Sequence, residues 1–304
     1  MTARPRLAPA GVTLPRRTFL KGLAATAFVG PTVSLARATR RLGEDKVRLA
    51  AIGVGGQGAY DVGQLMSHPH VEMVALCDVD AQRLGEMAAN HPEARTFRDY
   101  RRLLDAVGNE IDAVLVSTTD FMHAPITLAA MDLGKHVYCQ KPLSQNLVEL
   151  RAMQEMAARK GVVTQMGTQI HGHEAYRTAV AMVHEGAIGL VREAHLWVSK
   201  SWAGLPEGIP DRSDPVPEHL DWDLWLGVSP ERPYVEGYFH PKQWRRWRNY
   251  GTGTLGDMGC HLFDPVFGAL ELERIRSVVS NGPQHTDVGY GTDGDFTYVF
   301  EGTE

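Results

Sequence analysis

The chain has 304 residues, of which 43% are hydrophobic, and a formal net charge of -5. That length is enough for one large or two ordinary domains, and a mildly acidic chain gives no electrostatic case for binding nucleic acid or an anionic membrane. Three scattered cysteines, Cys77, Cys139 and Cys260, have no CxxC spacing and predict neither a disulfide framework nor a zinc site. Two of them are expected to be small core residues in strands.

Residues 15–38 read PRRTFLKGLAATAFVGPTVSLARA, a basic segment followed by a short, weakly apolar stretch. This stretch is too short and too rich in glycine to insert stably into a bilayer. The pair Arg16-Arg17 and the residues after it closely resemble a bacterial twin-arginine export signal. A disordered basic tail is the alternative interpretation.

The residues Ala36-Arg37-Ala38 fit the small-x-small pattern of a signal cleavage site. We therefore expect residues 1–38 to be a signal peptide, 39–46 to be a linker, and the mature protein to begin at Thr39. The predicted location is periplasmic, or exported through the twin-arginine pathway.

From Val47 to residue 168, short apolar runs alternate with helical segments, which predicts a doubly wound parallel α/β sheet covered on both faces. Asp80 is placed to cap one of the helices. The predicted strands are Val47–Val54, Val71–Cys77, Ala113–Val116, Val137–Cys139 and Val162–Met166. The predicted helices are Ala59–Ser67, Ala81–Asn90, Tyr100–Val107, Ala124–Leu133 and Leu147–Lys160.

Residues 169–304 follow a different rhythm and predict a second α/β domain. The expected order is a helix, a strand, a long irregular stretch, a helix and two further strands. Their predicted ranges are Tyr176–Glu185, Val191–Ser199, Ala203–Tyr250, Asp257–Leu270, Arg274–Ser280 and Asp295–Glu301. The last strand has no following partner, so we expect the sheet of this domain to be incomplete.

A glycine turn, Gly53-x-Gly55-Gly56-x-Gly58, joins the first predicted strand to the first helix. Such a turn lets backbone N–H groups approach a pyrophosphate at the helix N-terminus. Asp78 ends the second strand about twenty residues later, where a carboxylate accepts hydrogen bonds from the adenosine ribose. The carboxylate would repel a 2′-phosphate, so the combination predicts NAD rather than NADP.

Three further segments, DAVLVSTTDFMHAP, GKHVYCQKPLS and GTGTLGDMGCHLFD, closely resemble the glucose–fructose oxidoreductase/inositol dehydrogenase/rhizopine-catabolism (Gfo/Idh/MocA) family. The resemblance implies a Rossmann domain over 47–168, and a C-terminal α/β domain with an open, mostly antiparallel sheet that often forms an oligomer contact. It also implies oxidation or reduction of sugars, cyclitols or polyols with NAD(P), although some exported members are glycosidases that hold NAD tightly. Two positions depart from the family pattern: Gln140 replaces a common Glu, and Thr118-Thr119 replaces a common Thr-Pro.

The predicted catalytic residues are Lys141, Asp257 and His261. Lys141 follows a strand and is assigned to the cofactor site as well, because it would point at the nicotinamide. There it would bond the substrate oxygen and relay its proton. Asp257 and His261 are spaced i, i+4 and would share one face of a helix, where the imidazole is suited to acid–base work near neutral pH and the carboxylate could bind hydroxyls or orient the imidazole. A metal site and a purely structural pair are the rival interpretations; no metal is predicted, since no third ligand is evident at a suitable spacing.

Thr118 and His123 follow the fourth predicted strand and are assigned to the cofactor site; His123 could instead cap the helix that follows. Gln169 and His171 lie at the domain junction and are assigned to the substrate. Trp244 and Trp247, in the segment WRRWRNY, are assigned to the substrate as well, because aromatic faces stack on sugar rings. The alternatives are a subunit contact and a core tryptophan pair flanked by solvated arginines.

These patterns together predict an exported NAD-dependent oxidoreductase that acts on a sugar or polyol and self-associates through its C-terminal sheet. Two alternatives use the same residues. One is a glycoside hydrolase in which NAD transiently oxidises the sugar and permits elimination of the aglycone. The other is a non-catalytic, NAD-bound sugar-binding protein.

Overall fold

The structure, a computed structural model, describes residues 46–301. A six-stranded parallel sheet has the strand order β3-β2-β1-β4-β5-β6, which is that of a doubly wound α/β domain. The predicted signal peptide and all but the last residue of the predicted linker lie outside the described residues. The six strands are β1 (Val47–Ile52), β2 (Val71–Cys77), β3 (Arg95–Phe97), β4 (Ala113–Val116), β5 (His136–Gln140) and β6 (Thr164–Gly167).

Five helices connect these strands, and the sequence predicted all of them. Asp80 caps α2 as expected, since its Oδ1 accepts the backbone N–H groups of Gln82 and Arg83 at 3.0 and 3.3 Å. The helices are α1 (Gln57–Met66), α2 (Ala81–Asn90), α3 (Tyr100–Val107), α4 (Asp120–Asp132) and α5 (Leu147–Lys160). Helix α4 begins four residues earlier than predicted, because packing of its buried residues outweighs the hydrogen bond that Pro125 removes.

The sequence analysis missed β3, which is only three residues long and lies at the edge of the sheet. So short a strand shows no measurable alternation of apolar and polar residues, and the pairing of its residues with Ala75–Cys77 is what defines it.

Both faces of the parallel sheet are covered, as the near-continuous apolar strands predicted. Along β1, Leu49 and Ala51 belong to one apolar cluster, and Ala50 and Ile52 to the other. Cys77 and Cys139 lie buried in β2 and β5 as free thiols, which confirms their expected core role.

The second half of the chain contains α6 (Glu174–His184), α7 (Trp222–Leu226), α8 (Gly253–Leu270) and an antiparallel pair, β7 (Ile275–Asn281) and β8 (Asp295–Phe300). The predicted irregular stretch is confirmed over most of its length. It packs an aromatic cluster against α4, with Phe121 5.8 Å from Trp225 and 5.4 Å from Tyr250 between ring centroids. This cluster joins the parallel sheet's helices to the second half.

The prediction of a strand over Val191–Ser199 is wrong: this segment has no regular secondary structure, and Trp197 is 82% exposed. The alternation of residues was present, but a strand also needs a neighbour for its backbone hydrogen bonds. The antiparallel sheet therefore consists of β7 and β8 among the described residues, in agreement with the predicted type of sheet. Within residues 46–301, no helix combines the length and the apolar character needed to cross a membrane.

Candidate functional site

The glycine turn after β1 adopts backbone conformations that glycine allows. Gly53 and Gly56 have φ angles of +83° and +55°, in the left-handed region. A Cβ on Gly58 would lie 1.9 Å from the carbonyl oxygen of Gly53, so this position admits no side chain. A Cβ on Gly56 would meet no atom within 4 Å, which leaves open space beside the turn. Gly55 lies against the guanidinium of Arg83, which a Cβ would approach to 2.5 Å.

Asp78 lies directly after β2, next to this turn. Its two carboxylate oxygens accept the backbone N–H groups of Val54 and Asp80, each at 2.9 Å. Burial raises the pKa of Asp78, while those two donors and the charge of Arg83 oppose the rise. The carboxylate is thus held at the C-terminal edge of the sheet with lone pairs to spare. An open glycine turn beside a fixed carboxylate fits the adenosine half of a dinucleotide.

Lys141 directly follows β5 and meets the first turns of α8. Its Nζ donates hydrogen bonds to the carbonyl oxygen and to Oδ1 of Asp257, both at 2.7 Å. Lys141 is 13% and Asp257 6% exposed, so the ion pair is largely shielded from solvent. The structure therefore brings together two of the three predicted catalytic residues, which are far apart in the sequence.

The Asp257 carboxylate is surrounded by donors. Oδ1 also accepts from Nε of Arg245 at 3.3 Å, and Oδ2 accepts from Nε1 of Trp202 at 2.6 Å and lies 2.9 Å from Nζ of Lys200. Burial favours the protonated acid, but the charge of Lys141 and these hydrogen bonds outweigh it and hold the pKa of Asp257 well below its usual range. Asp257 is therefore a permanent anion that positions Lys141, and it is unsuited to accept a proton.

His261 lies one turn further along α8 on the same face. Its imidazole is half-buried and has no hydrogen-bond partner within residues 46–301. Burial and the charge of Lys141 lower the pKa of His261, so the ring is neutral at neutral pH and has a free lone pair. Asp257 makes no hydrogen bond to this imidazole within residues 46–301, so the structure gives no support to its orienting the ring, and its binding of substrate hydroxyls stays a prediction.

His123 is 1% exposed inside α4, where its two ring nitrogens face carbonyl oxygens of the protein. Nδ1 lies 2.6 Å from the oxygen of Pro142, and Nε2 lies 3.2 Å from the oxygen of Thr118. Burial lowers the pKa of His123 to about 4, so the neutral ring donates to only one of the two. His123 thus ties the end of β4 to the Lys141-Pro142 turn. Contacts of His123 and Thr118 with a cofactor stay predictions.

The replacement of a common Glu by Gln140 has a local explanation. Nε2 of Gln140 donates to Oδ2 of the buried Asp61 at 2.8 Å, and the hydroxyl of Ser117 donates to the same oxygen at 2.8 Å. A glutamate at position 140 would place a second carboxylate against Asp61 without a donor between them. The amide of Gln140 is therefore suited to its neighbour Asp61, to which a carboxylate could not donate.

The two residues assigned to the substrate after β6 lie on the surface of a short 3₁₀ helix, Gln169–Gly172. Nδ1 of His171 lies 2.8 Å from Oδ2 of Asp264, which is on α8 three residues beyond His261. His171 therefore lies near the site through α8, while the structure gives Gln169 no bond to it. Substrate contacts of both residues stay predictions.

The tryptophans of WRRWRNY form part of the core. Trp244 is 4% and Trp247 1% exposed, and Nε1 of Trp247 donates to the carbonyl oxygen of Tyr238 at 2.5 Å. Neither side chain offers a free face for a sugar ring, so the prediction of sugar stacking is wrong and the core alternative is correct. The segment reaches the site instead through Arg245, which packs over Trp244 at 4.2 Å from the ring centroid.

Sequence reasoning missed four residues of the site: Asp120, Lys200, Trp202 and Arg245. All four approach Asp257 or Lys141 only through the fold, and each stands in a segment whose local pattern suggested something else. Asp120 is the only one of the four with a signal in the sequence, since it is an acidic residue that follows a buried strand after three residues. The described residues contain no cluster of three or more histidine, cysteine or acidic side chains able to hold a metal ion.

Comparison with known families agrees with this geometry. Residues 47–168 match the Gfo/Idh/MocA model described as an oxidoreductase family with an NAD-binding Rossmann fold. Residues 193–301 match the model for the C-terminal α/β domain of the same family. The chain belongs to the Gfo/Idh/MocA oxidoreductase family.

Two curated relatives show how far the likeness of this Gfo/Idh/MocA chain extends. Inositol 2-dehydrogenase 3 of Saccharopolyspora erythraea is 34% identical over 152 residues, which cover 49% of this chain and 44% of that protein. A glycosyl hydrolase family 109 protein of Stenotrophomonas maltophilia is 28% identical over 247 residues, which cover 77% of this chain and 49% of that protein. The chain thus spans about half the length of the curated relatives it matches.

Among solved structures, the WlbA dehydrogenase of Bordetella pertussis, in complex with NADH and UDP-GlcNAcA, aligns with a TM-score of 0.61. The alignment covers 84% of this chain and 64% of that one at 16% identity. At that identity, the likeness shows a shared fold.

Proposed function

We propose that the protein oxidises a secondary alcohol of a sugar or polyol, with NAD as the hydride acceptor. The observation that carries this proposal is the shielded pair of Lys141 and Asp257 at the C-terminal edge of the parallel sheet, one helical turn from the unpartnered His261. Ligands of doubly wound sheets bind at that edge. The names of the relatives, which include inositol and anhydrofructose enzymes, support the substrate class.

Bound NAD would supply the hydride chemistry, held by the glycine turn and Asp78. The ammonium of Lys141 has three N–H bonds, of which two are directed at Asp257. The third remains for the substrate oxygen. His261 is neutral and has a free lone pair, so it can accept the hydroxyl proton, while the ion pair with Asp257 holds Lys141 in place. Trp202 and Lys200 complete the donor set of Asp257 and prevent it from competing for the proton.

The proposal is tested on purified protein by native mass spectrometry for bound NAD, followed by a panel of sugars and polyols monitored at the nicotinamide absorbance. Accumulation of NADH with a free sugar supports the dehydrogenase. Release of an aglycone without net NADH formation would replace it with the hydrolase. Tight sugar binding without either reaction would leave a binding protein.

Cofactor preference is proposed to rest on Asp78, and NAD is proposed to bind better than NADP. Asp78→Asn is expected to weaken NAD binding by about 10–100-fold, because charge-assisted hydrogen bonds to the ribose are worth about 1.5–3 kcal/mol. NADP binding should weaken less, since the repulsion of its 2′-phosphate is removed as well. Titration of both dinucleotides, with melting temperatures to check the Val54 and Asp80 contacts, measures the change. Tighter binding of NADP than NAD by the wild type contradicts the proposal.

We propose export through the twin-arginine route, from the sequence of residues 15–38. Changing Arg16 and Arg17 to lysine is expected to retain folded protein in the cytoplasm, because the receptor reads the guanidinium pair rather than charge alone. Cell fractionation measures the effect, and N-terminal sequencing of exported wild type should begin at Thr39. Undiminished export of the double variant would refute this assignment.

We also propose that the protein self-associates through its C-terminal sheet. The exposure of every residue of β7 supports this proposal.

A further inference from the structure

Asp120 is a buried carboxyl group that the proposed reaction leaves without a role. It is the first residue of α4 and is 5% exposed. Oδ2 accepts a hydrogen bond from Oγ1 of Thr252 at 2.7 Å. Oδ1 has no donor within residues 46–301. It is not fully shielded from solvent. One oxygen of Asp120 is therefore bound and the other remains available.

Asp120 lies among the charges of the site rather than beside a single partner. Burial raises the pKa of Asp120 to about 7, against the hydrogen bond of Thr252 and the charges of Arg245 and Lys141. Asp257 on α8 adds to the rise. Asp120 in turn helps to raise the pKa values of Tyr290 and Cys139. Both forms of Asp120 are therefore populated near neutral pH.

The order of the strands indicates which part of a dinucleotide meets Asp120. The glycine turn follows β1, and Asp78 follows β2, on one side of it. Asp120 and Lys141 come after β4 and β5, on the other side of β1. Because Asp78 suits the adenosine ribose, the opposite half of the dinucleotide extends toward β4 and β5. That half ends in the nicotinamide ring, which is positively charged when oxidised and neutral when reduced.

We propose that Asp120 is the charge partner of the nicotinamide: its carboxyl group is ionised opposite the oxidised ring and protonated opposite the reduced ring. This inference rests on the proposed use of NAD. When NAD⁺ binds to the protonated form, Asp120 releases one proton to solvent and balances the positive charge of the ring. When NADH binds to the ionised form, the ring adds no positive charge, and the buried carboxylate takes up a proton from solvent.

The sign of the pH dependence follows from this exchange. A positive charge nearby lowers the pKa of Asp120, so NAD⁺ binds more tightly as the pH rises through neutrality. Affinity for NAD⁺ at high pH exceeds that at low pH by about tenfold for each unit by which the pKa falls on binding, and with a starting pKa of about 7 the change between pH of about 6 and about 8 reaches at most about tenfold. Affinity for NADH should not rise over the same range.

The experiment measures dissociation constants of NAD⁺ and NADH without any sugar, by calorimetry in two buffers of different ionisation enthalpy, so that proton release is counted. Asp120→Asn keeps the shape of the side chain in its neutral form. This variant should bind NAD⁺ at high pH as weakly as the wild type does at low pH, lose the proton release, and bind NADH at high pH as tightly as the wild type does at low pH. An equal pH dependence in wild type and Asp120→Asn overturns the proposal.

Two further variants separate Asp120 from its neighbours. His261→Gln removes another titrating group and should leave the pH dependence of NAD⁺ binding in place. Thr252→Val removes the hydrogen bond that favours the ionised carboxyl group and should move the midpoint to higher pH. Thr252 makes no side-chain cap on α8, so this change spares the helix and remains informative if Asp120→Asn folds poorly. Loss of the dependence in His261→Gln would assign the proton to His261 and overturn the proposal.

The outcomes for Asp120 and for the proposed function are distinguishable. A pH-dependent affinity for NAD⁺ that requires Asp120, together with no sugar oxidation, supports this inference and contradicts the dehydrogenase. Sugar oxidation together with a pH-independent affinity for NAD⁺ supports the dehydrogenase and contradicts this inference. Failure to bind either dinucleotide overturns both.

Discussion

Lys141→Ala is expected to lower turnover by about 10²–10⁴-fold, the usual worth of a positioned acid–base group, while NAD affinity stays within a few-fold of the wild type. The reason is that the glycine turn and Asp78, which hold the adenosine half, lie at the ends of β1 and β2, away from the end of β5. Titration of NAD by tryptophan fluorescence and single-turnover reduction with an accepted sugar measure the two effects separately.

Lys141→Arg is the matched control, because arginine keeps the positive charge opposite Asp257, but its planar guanidinium does not direct an N–H bond at the substrate oxygen as the compact ammonium does. Lys141→Arg should therefore be more stable than Lys141→Ala, but its turnover should be equally low. If Lys141 and His261 share one proton relay, combining Lys141→Ala with His261→Ala should be scarcely worse than the poorer single variant. Near-normal turnover of Lys141→Ala with NAD still bound would place the chemistry elsewhere.

Removing the carboxylate of Asp257 is expected to destabilise the fold by about 3–5 kcal/mol, because a largely buried lysine loses its counter-charge. Asp257→Leu tests this with denaturant unfolding at neutral pH. Lys200→Met is the matched control: Lys200 is 46% exposed, so its pair with Asp257 is screened and its loss should cost less than about 1 kcal/mol.

Acid should erase the difference between wild type and Asp257→Leu. The pKa of Asp257 is lowered in the folded protein, so its contribution to stability is present above the unfolded value of about 4 and is lost as the pH falls below it. Unfolding curves at successively lower pH check this sign. Equal stability of the two proteins at neutral pH would mean that the carboxylate is dispensable for the fold.

The parts of the site that the sequence predicted are those that local pattern determines. Gly53, Gly58 and Asp78 were predictable because a strand, a glycine turn, a helix and a second strand follow each other within one short stretch of chain. Lys141 and Asp257 carry family motifs, but their 2.7 Å contact joins residues that only the fold brings together. Trp202 stood within a stretch with no regular pattern, so nothing local indicated its hydrogen bond to Asp257.

The two wrong predictions have physical causes. An aromatic pair such as Trp244 and Trp247 has the same spacing whether it faces a sugar or fills a core, and only the fold shows that both side chains are buried. The alternation of residues over Val191–Ser199 is typical of a strand. No segment within residues 46–301 pairs with it, so no strand forms.

The donors around Asp257 come from segments that lie far apart in the sequence. They come from the turn after β5, from the segment that contains Lys200 and Trp202, and from the 3₁₀ helix that contains Arg245. The dinucleotide turn and Asp78, by contrast, belong entirely to the first half of the chain. The proposed dinucleotide site is therefore built from one half of the chain, whereas the proposed chemical site requires segments from both halves.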